Sequence, residues 1–581
     1  MPSEGFGYIG LKPQCGICGY DMMSDVPFVA ILGNGDSTGF RVRTVSSKFI
    51  SYGHPQKLPG FGWLCRYPRC YNCMDSPEAC TLHLDCFKLF MREYQSTQSL
   101  DRLWVATAWR YPWRDAPPLR LPMTPTIESA AGPAADMLNS DRLKSFPREL
   151  WDMIRKYSES NLFWRYICIL DFVAQVSRMP CEALTSVTFS LIDSWERGGQ
   201  PILTADPKAK PVVRVTIDSF GINKVERLSS YPPYCEVRFD HLVFIIENES
   251  LFKDATAQIK NGLLRLLFPE LGNGLSIWDT PTPPRLEDCP IAPPRIAGSM
   301  CFSTICLKRT TGLTFFVYDD KIHAIHAHTP TLPCAEPTYN SLWDKQDVSW
   351  IYIPFSANDK IVAFGIQLEK QDGEYFTTDR PCFLFRTELA GDILVGRYKS
   401  NQDFLYTKAP PSTLLYHKAE LGTISIISPY SNKDDTSSQS IPYQHPPAGP
   451  LPRNMCVSWA TLDNVSYVQA FYQDDGYSCR GLLFTYDNGS QRAVGQCRLQ
   501  VDNCRSYTNP LVLLYSPRAS FSSTLPEKAL AVKIKFSSEF EHSHGRDGWD
   551  CLPMTGTLFF SFSNYEAYIN VKPPQARITS A

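Results

Sequence analysis

The chain has 581 residues, a formal net charge of -2, and 43% hydrophobic and 13% aromatic residues. This composition supports several domains with packed cores, and without a long basic run the sequence does not indicate non-specific nucleic-acid binding. The N-terminus shows no signal-peptide pattern, and no apolar run is long enough to span a membrane. We therefore expect a cytoplasmic or nuclear protein with reduced thiols and with no membrane or nucleic-acid partner.

The first 100 residues contain a ligand pattern typical of a zinc-binding module. Cys15-x2-Cys18 places two thiols on one tight turn, and His83-x2-Cys86 places an imidazole and a thiol in the first turn of a predicted helix, 83–94. Two such pairs supply the four tetrahedral S/N ligands that structural Zn²⁺ prefers, so we predict a zinc ion at Cys15, Cys18, His83 and Cys86. Four protein ligands leave no open position for a water molecule, which indicates a structural site and not a catalytic one.

Two predicted strands and four further cysteines lie between these pairs. The strands are expected at 28–32 and 39–46, where apolar and β-branched residues run together. The cysteines follow C-x4-C-x2-C-x6-C spacing and leave two possibilities open: a second zinc ion, or replacement of an outer pair by the two central cysteines. The candidates for the second site are Cys65, Cys70, Cys73 and Cys80.

A linker and then a helical segment follow the cysteine-rich module. Residues 115–140 are rich in Pro, Ala and Ser and lack periodicity, which predicts a linker. Apolar residues at helical spacing predict two helices within 141–180, the second of them over 162–176.

The first of these helices has an apolar face that begins with Pro147, Leu150 and Ile154. Pro suits the first turn of a helix, and Leu150 and Ile154 lie one turn apart on the same side. Two interpretations stay open: the face binds a protein partner, or it packs inward against the second helix.

The rest of the chain is expected to change from mixed to nearly all-β structure. Residues 181–298 read as a mixed α/β connector region, with a strand predicted at 234–239 and a helical or irregular stretch at 251–267. Over 299–581, many short strands separated by turn residues predict a large antiparallel β region, sandwich- or prism-like, with a polar Pro-rich loop at 431–454. The predicted fold class is therefore α+β.

Two stretches of the β region resemble each other. Gly312–Asp320 and Gly481–Gly489 both open with Gly-Leu, continue as an aromatic-rich strand and end in a turn. The second turn is predicted to be type I′ at Asn488-Gly489, because Asn and Gly tolerate positive φ. This stretch also resembles strands of jacalin-type β-prism lectins, and the resemblance implies a domain that binds carbohydrate or a small ligand.

His326 and His328 form an H-x-H pattern on a predicted strand, so their side chains point to the same face. Such a pair can chelate a metal, which would suit a metalloenzyme. We favour two hydrogen-bonded histidines on a polar sheet face, because the sequence fixes no carboxylate or third histidine next to the pair. His542 and His544 could supply a further ligand only if the fold brings them close. No phosphate-binding loop, nucleophile elbow or kinase signature is found, so we expect no enzymatic activity.

Residues 144–154 resemble the opening of an F-box, whose Leu-Pro-x-Glu-Leu motif precedes a helix; here the motif reads Phe-Pro-Arg-Glu-Leu, residues 146–150. The wider chain resembles a group of uncharacterised F-box-like multidomain proteins from fungi that have an N-terminal Cys/His zinc module. The resembling stretches are 218–222 with 226–228, 277–284, and 312–318 with 325–329. The resemblance implies that the helical segment contacts an adaptor of a cullin–RING ubiquitin ligase and that the β region recognises a substrate.

These observations predict a non-enzymatic interaction scaffold, an F-box-like substrate receptor with structural Zn²⁺ and protein partners. The first alternative is a lectin-like β protein that binds carbohydrate or a small ligand. The second alternative is a metalloenzyme that uses the strand of His326 and His328.

Overall fold

The structure, a computed structural model, describes residues 7–33, 39–48, 50, 55–58, 62–67, 70–74, 76–123, 132, 136, 141–158, 162–269, 274–289, 299–342, 347–367, 369–371, 374–376, 380–396, 404–407, 409–417, 423–424, 426–431, 455–519, 530–540, 548–564 and 566–573. The chain divides into two units: Met1–Pro283 with Arg295–Phe302, and Pro284–Pro294 with Ser303–Ala581. The fold is mixed α/β and rich in strands. No helix in these described ranges combines the length and the apolar character that crossing a bilayer requires.

The helices are short and belong mainly to the first unit. The α-helices are α1 (Tyr71–Met74), α2 (Leu84–Glu93), α3 (Ser99–Ala108), α4 (Arg148–Ser158), α5 (Leu162–Arg178) and α6 (Glu336–Asn340). Single 3-10 turns are found at Asp141–Ser145, Phe189–Leu191, Pro207–Ala209, Glu249–Phe252, Leu286–Asp288 and Leu307–Arg309. The two helices predicted within 141–180 are confirmed as α4 and α5, and the helix predicted over 83–94 is confirmed as α2.

The first unit contains several small sheets and one larger sheet. Its strands are β1 (Tyr8–Gly10), β2 (Pro27–Gly33), β3 (Gly39–Lys48), β4 (Gln56–Leu58), β5 (Gly62–Cys65), β6 (Glu78–His83), β7 (Thr185–Thr188), β8 (Ile192–Glu196), β9 (Ile202–Leu203), β10 (Val212–Asp218), β11 (Gly221–Leu228), β12 (Val243–Asn248), β13 (Thr256–Lys260), β14 (Leu263–Leu267), β15 (Ser276–Trp278) and the start of β16 (Met300–Cys306). The small sheets have the orders β1-β5-β4, β3-β2-β6 and β14-β13-β7, and the larger sheet contains β9-β8-β11-β10-β12-β15-β16. The strands predicted at 28–32 and 39–46 are confirmed as β2 and β3.

One hydrophobic core of the first unit joins the cysteine-rich segment to the helical segment. Phe28 of β2, Phe90 of α2, Trp104 of α3 and Phe172 of α5 belong to the same buried cluster. Phe90 and Phe172 meet edge to face with ring centroids 5.8 Å apart, a geometry that aromatic pairs prefer. The packing of α2 therefore depends on α5, although the two helices are far apart in sequence.

Two secondary-structure predictions in the connector region are wrong. The stretch 251–267, expected to be helical or irregular, contains the hairpin of β13 and β14, with Asn261 and Gly262 at positive φ in its turn. Because four consecutive residues of β14 are buried, its apolar run lacks the alternation that marks a half-buried strand. The strand expected at 234–239 is also not observed, since those residues pair with no strand in the structure described.

The second unit is built from antiparallel strands. They are β17 (Gly312–Tyr318), β18 (Lys321–His328), β19 (Ser349–Pro354), β20 (Ile361–Gln367), β21 (Glu369–Gln371), β22 (Glu374–Phe376), β23 (Cys382–Thr387), β24 (Gly391–Val395), β25 (Phe404–Tyr406), β26 (Thr413–His417), β27 (Ile427–Tyr430), β28 (Cys456–Thr461), β29 (Val465–Tyr472), β30 (Ser478–Tyr486), β31 (Gln491–Gly495), β32 (Asn503–Thr508), β33 (Val512–Ala519), β34 (Leu530–Ser537), β35 (Asp550–Pro553), β36 (Thr557–Phe562) and β37 (Ala567–Lys572). Their orders include β18-β17-β19, β24-β23-β20-β25, β28-β36-β37 and β32-β29-β30-β34-β33-β35. One extended core contains residues from several of these sheets, among them Phe315, Phe385, Phe484 and Phe560.

The coarse prediction of a β-rich C-terminal region with many antiparallel sheets is confirmed, whereas the sandwich- or prism-like arrangement stays a prediction. Of the predicted loop at 431–454, only Ser431 belongs to the described residues. Of the predicted linker at 115–140, the structure describes 115–123, 132 and 136.

The two similar stretches of the β region both form hairpins, and glycine is required at the start of each. A Cβ atom at Gly312 would lie 2.6 Å from the Tyr352 ring, and one at Gly481 would lie 2.6 Å from the backbone of Gln496. The turns, however, differ from the prediction. Asp319 and Asp320 both have positive φ, as type I′ requires.

The predicted type I′ turn at Asn488-Gly489 is wrong. Gly489 is the only residue of positive φ among 487–489, and its N–H donates to the Tyr486 carbonyl at 2.9 Å. The hairpin has a three-residue loop because Tyr486 also donates to the Ser490 carbonyl, at 3.0 Å. Glycine then occupies the left-handed position that closes a type I turn.

Candidate metal centre

Cys15, Cys18, His83 and Cys86 converge in the interior of the first unit. All four side chains are buried, and their ligand atoms lie within 4.8 Å of one another. Nδ1 of His83 lies 3.4 Å from Sγ of Cys18 and 3.7 Å from Sγ of Cys86. Zinc–ligand bonds of about 2.3 Å to sulfur and 2.0 Å to nitrogen would separate S and N by about 3.5 Å in a tetrahedron. The group can therefore hold a metal ion such as Zn²⁺.

Local structure brings the two ligand pairs into position. Cys15 and Cys18 lie on a turn in which the Gly19 N–H donates to the Cys15 carbonyl at 2.9 Å, and Gly19 has a φ of 73° that favours glycine. His83 ends β6 and precedes the first residue of α2, and Cys86 lies in the first turn of that helix. Residues three apart on a helix share one side, so the strand-to-helix junction aims both side chains at the turn.

Backbone groups and one arginine also contact the sulfur atoms. The backbone N–H of His83 donates to Sγ of Cys15 at 3.4 Å. Nη2 of Arg165, on α5, donates to Sγ of Cys86 at 3.6 Å. Zn²⁺ with three thiolates and a neutral imidazole has a net charge of -1, which a neighbouring guanidinium would offset.

A second arginine, the half-buried Arg110, lies next to the Cys15–Cys18 turn. Its Nη1 donates to the carbonyls of Cys15 and Gly16 at 3.2 and 2.8 Å, and its Nε donates to the carbonyl of Ser219 at 2.6 Å. These partners are uncharged, so the nearby Cys15, Cys18 and Asp218 contribute to the balance of its charge. Arg110 thereby fixes the backbone of the turn that bears two of the ligands.

The thiols of the group influence each other's protonation. Burial raises the pKa of Cys18 well above its usual value, and hydrogen bonds with Cys15 and Cys86 raise it further. Burial also opposes ionisation of Cys15, but hydrogen bonds from Cys18, Cys86 and His83 outweigh it and hold the pKa of Cys15 well below its usual value. One of the three thiols therefore loses its proton easily, whereas the other two hold theirs. A bound cation would displace the remaining protons when all three sulfur atoms become ligands.

Cys65, Cys70 and Cys73 form a second group, nearer the surface. Their sulfur atoms lie within 4.8 Å of one another; Cys65 is buried, and the other two are half-buried. The Cys73 N–H donates to the Cys70 carbonyl at 2.9 Å, which makes the tight turn expected of a C-x2-C pair. A hydrogen bond from Cys73 lowers the pKa of Cys65 to about 6, against the effect of burial and with help from the Tyr67 backbone. These three thiols can also hold a metal ion.

Cys80 does not belong to this second group, so the prediction of Cys80 as its fourth ligand is corrected. It lies on β6, and its hydrogen-bonding neighbours are Thr107 and the backbone of Ile31. Burial raises the pKa of Cys80 to about 12. Because alternate residues of a strand point to opposite faces, Cys80 and His83, three positions apart on β6, project from different faces of the strand.

His326 and His328 lie side by side on β18, with ring centroids 4.7 Å apart, as their spacing predicts. Both rings are fully hydrogen-bonded. His326 contacts the Thr338 hydroxyl at 2.8 Å and the Leu332 carbonyl at 3.1 Å; His328 contacts the Thr314 hydroxyl at 2.7 Å and the Pro333 carbonyl at 2.8 Å. Burial lowers the pKa of both imidazoles. The described residues bring no third ligand to them, so the geometry favours neutral, hydrogen-bonded histidines.

The helical face predicted to bind a partner lies on α4. Its apolar side chains remain exposed: Leu150 by 41%, Met153 by 54% and Ile154 by 38%. Pro147 directly precedes the helix, and its carbonyl accepts the N–H of Leu150 at 3.1 Å. The second interpretation, in which this face packs inward, does not describe these residues.

Comparisons with known proteins give no family for this chain. A scan against protein-family models finds no match, and a search of curated proteins finds no similar sequence. The interpretation of the site therefore depends on its geometry.

Arg110 and Arg165 are the residues of the centre that sequence reasoning missed. Arg110 is 27 positions from His83, and Arg165 is 79 positions from Cys86. No local spacing relates either arginine to the ligands, so only the packing of α5 and of the turn after α3 against the cysteine-rich segment reveals them.

Proposed function

We propose that this protein is a non-enzymatic interaction scaffold. Zn²⁺ at Cys15, Cys18, His83 and Cys86 stabilises its first unit, and the helical segment presents an apolar face to a protein partner. The observation that supports this most directly is the exposure of Leu150, Met153 and Ile154 on α4. Exposed apolar patches of this kind mark interaction sites in soluble proteins.

The packing of Trp151, on the same helix, shows that the exposure is not a result of poor packing. Trp151 is only 3% exposed and contacts Trp164 edge to face and Phe163 by stacking, with centroids 6.0 and 6.3 Å apart. Trp151 thus anchors the helix on α5, and the neighbouring Leu150, Met153 and Ile154 remain exposed. On α5 itself, Leu162 is 67% exposed and lies outside this aromatic cluster.

The proposed partner is the F-box-binding adaptor of a cullin–RING ubiquitin ligase. This identification depends on the likeness of residues 146–150 to the F-box opening, whose Pro and Leu here stand at the start of α4. An apolar helical face fits a groove in a partner through residues one turn apart, such as Leu150 and Ile154. In this proposal the second unit recognises the substrate, in the cytoplasm or nucleus.

A pull-down of the full-length chain with the purified adaptor tests this function. We expect wild type to retain the adaptor. Leu150→Ala plus Ile154→Ala should reduce retention more than tenfold, because each substitution removes an apolar side chain that the adaptor would bury. The matched control is Ile202→Ala plus Leu203→Ala, two exposed apolar residues on β9. The melting temperatures of both double variants should stay close to that of wild type, because the truncated side chains are exposed.

Failure of wild type to retain the adaptor would overturn the ligase proposal. Equal losses in the two double variants would show that the contact is not specific to α4. If Leu150→Ala plus Ile154→Ala unfolds the protein, the face is a core element in solution and the proposal is also wrong.

A further inference from the structure

A cavity of about 340 Å³ lies within the second unit, outside the metal centre and the helical face. Small-molecule sites commonly have volumes of roughly 300–1,000 Å³, so this cavity suits a small ligand. Its walls come from the strands β18, β29 and β32, from the residue that precedes β17, from the loop after β18 and from the segment between β31 and β32. The lining residues are Thr311, His328, Pro333, Gln469, Phe471, Leu499, Gln500, Asp502 and Cys504.

Asp502 is the unusual member of this lining. Its side chain is 7% exposed, yet Oδ2 has no hydrogen-bond partner. The nearest cation, Nε of Arg480, lies 3.5 Å away and also lacks a hydrogen-bond partner. Buried carboxylates are normally satisfied by donors, so this carboxylate is an acceptor that a ligand in the cavity can use.

The charges around Asp502 cancel. Arg480 and Arg498 supply two positive charges, and Asp474 and Asp502 supply two negative charges. Burial lowers the pKa of His328 to about 4, so the imidazole is neutral near pH 7. A site with balanced charge gives no net attraction to a cation or an anion, which favours an uncharged ligand.

The other walls combine apolar and amide groups. Phe471, Leu499 and Pro333 offer apolar surface, and the amides of Gln469 and Gln500 offer both donors and acceptors. Gln500 has a φ of 61°, an uncommon conformation for a residue other than glycine. Such conformations are concentrated at ligand sites, where the surrounding structure imposes them.

We propose that this cavity binds one uncharged ring of monosaccharide size that bears several hydroxyl groups. Hydroxyls would donate to Asp502 and exchange hydrogen bonds with the amides of Gln469 and Gln500. The C–H face of the ring would contact Phe471 and Leu499, since sugars have both polar edges and apolar faces. This proposal is independent of adaptor binding by α4, so either one can fail without the other.

Saturation-transfer NMR and calorimetry on the full-length chain test the cavity with D-glucose, D-galactose, D-mannose, N-acetyl-D-glucosamine and myo-inositol. We expect at least one of them to bind with millimolar or better affinity and Asp502→Asn to weaken that binding about tenfold, because an amide is a poorer acceptor than a carboxylate. The matched control is Asp487→Asn, which makes the same change at an exposed carboxylate outside the lining and outside the charges around Asp502, and it should leave binding unchanged.

A second measurement needs no variant. Cys504 is exposed and lines the cavity, whereas Cys551 is exposed and does not line it. The bound sugar should slow alkylation of Cys504 and leave that of Cys551 unchanged. The proposal is overturned if no member of the panel saturates, if Cys504 is not protected, or if D-glucuronate binds more tightly than D-glucose.

Discussion

Arg165 links the metal centre to the helical segment through a single contact, from Nη2 to Sγ of Cys86 at 3.6 Å. Groups that hydrogen-bond to a ligand atom hold it in place and stabilise its charged form, and their loss commonly lowers metal affinity 10- to 100-fold. Because the fully ligated Cys3His centre has a net negative charge, a guanidinium in this position has an electrostatic role as well. The residue therefore provides a test of the proposed metal that leaves every ligand intact.

We expect Arg165→Leu to lower the zinc affinity of the protein by about tenfold or more, the usual effect of losing an outer contact to a ligand. The measurement is competition with a chromophoric chelator. Arg178→Leu removes the same charge from an exposed position near the end of α5 and serves as control. Equal affinities in the two variants would show that Arg165 does not act on the centre.

Glu78 and Arg265 form a buried ion pair in the same unit, with oxygen–nitrogen distances of 2.7 Å for both hydrogen bonds. Their side chains are 10% and 7% exposed. Burial alone would raise the pKa of Glu78, but the charge and hydrogen bonds of Arg265 hold it below its usual value of 4.5. Removing one partner of a buried pair leaves the other charge without compensation.

We expect Glu78→Gln to lower the free energy of unfolding by about 3–5 kcal/mol at neutral pH. The folded-state pKa lies below the unfolded value, so the contribution of Glu78 is complete above the usual pKa of 4.5 and is lost as the pH falls through the folded-state pKa. The difference between wild type and Glu78→Gln, measured by urea unfolding, should therefore be constant above about pH 5 and decrease in more acidic solution. A difference that grows as the pH falls would contradict this assignment.

At the scale of elements, sequence patterns predict those features of a helix or strand that residues close together in the chain determine. The spacing of His83 and Cys86 predicts a strand-to-helix junction with both side chains on one side, and β6 and α2 have that geometry. The buried strand β14 was not predicted because burial on both faces removes the alternation that identifies strands. The Asn261-Gly262 pair, a common hairpin turn, was the signal that could have corrected it.

Sequence spacing also does not determine which cysteines form the second group. Cys65 ends β5, Cys70 and Cys73 share a turn, and Cys80 lies on β6, so only the pairing of strands decides which thiols meet. Likewise, the pattern of α4 defines an apolar face but does not say whether another element covers it. Both questions depend on contacts between residues far apart in the chain.

The two cysteine groups predict that the protein binds two metal ions. The placement of each cysteine in a single group predicts which variant loses which ion. We expect wild type to bind two zinc ions, Cys18→Ser or Cys86→Ser to lose one, and Cys70→Ser or Cys73→Ser to lose the other, because each variant removes a ligand from one group only. Metal analysis of the purified full-length proteins gives the count. Cys181→Ser, at an exposed thiol outside both groups, should keep both ions.

Retention of one ion in every cysteine variant would show that the groups do not act separately. Loss of an ion from Cys80→Ser, with Cys73→Ser unaffected, would restore Cys80 as a ligand. Absence of metal from wild type refolded with Zn²⁺ would contradict the metal assignment for both groups.

On the scale of the whole molecule, the two units differ in what stabilises them. Both metal-ligand groups found among the described residues belong to the first unit. The main core of the second unit is formed by its own residues, from Ile305 to Phe562. Binding of a structural metal contributes directly to the folding free energy of the unit that holds it, so removal of metal should affect the two units unequally.

Hydrogen exchange of the intact chain, with and without a strong zinc chelator, measures this difference. We expect chelation to increase exchange in β2, β6, α2 and α5, which pack around the Cys3His centre, because these elements lose the free energy of metal binding. Protection in β17, β23, β30 and β36 should stay unchanged, since their core in the second unit contains no such ligand group among the residues described. The variant Cys18→Ser plus Cys86→Ser should exchange rapidly in the first set without chelator and respond little to its addition. Equal loss of protection in both sets would mean that the units unfold together and that the metal stabilises the whole molecule.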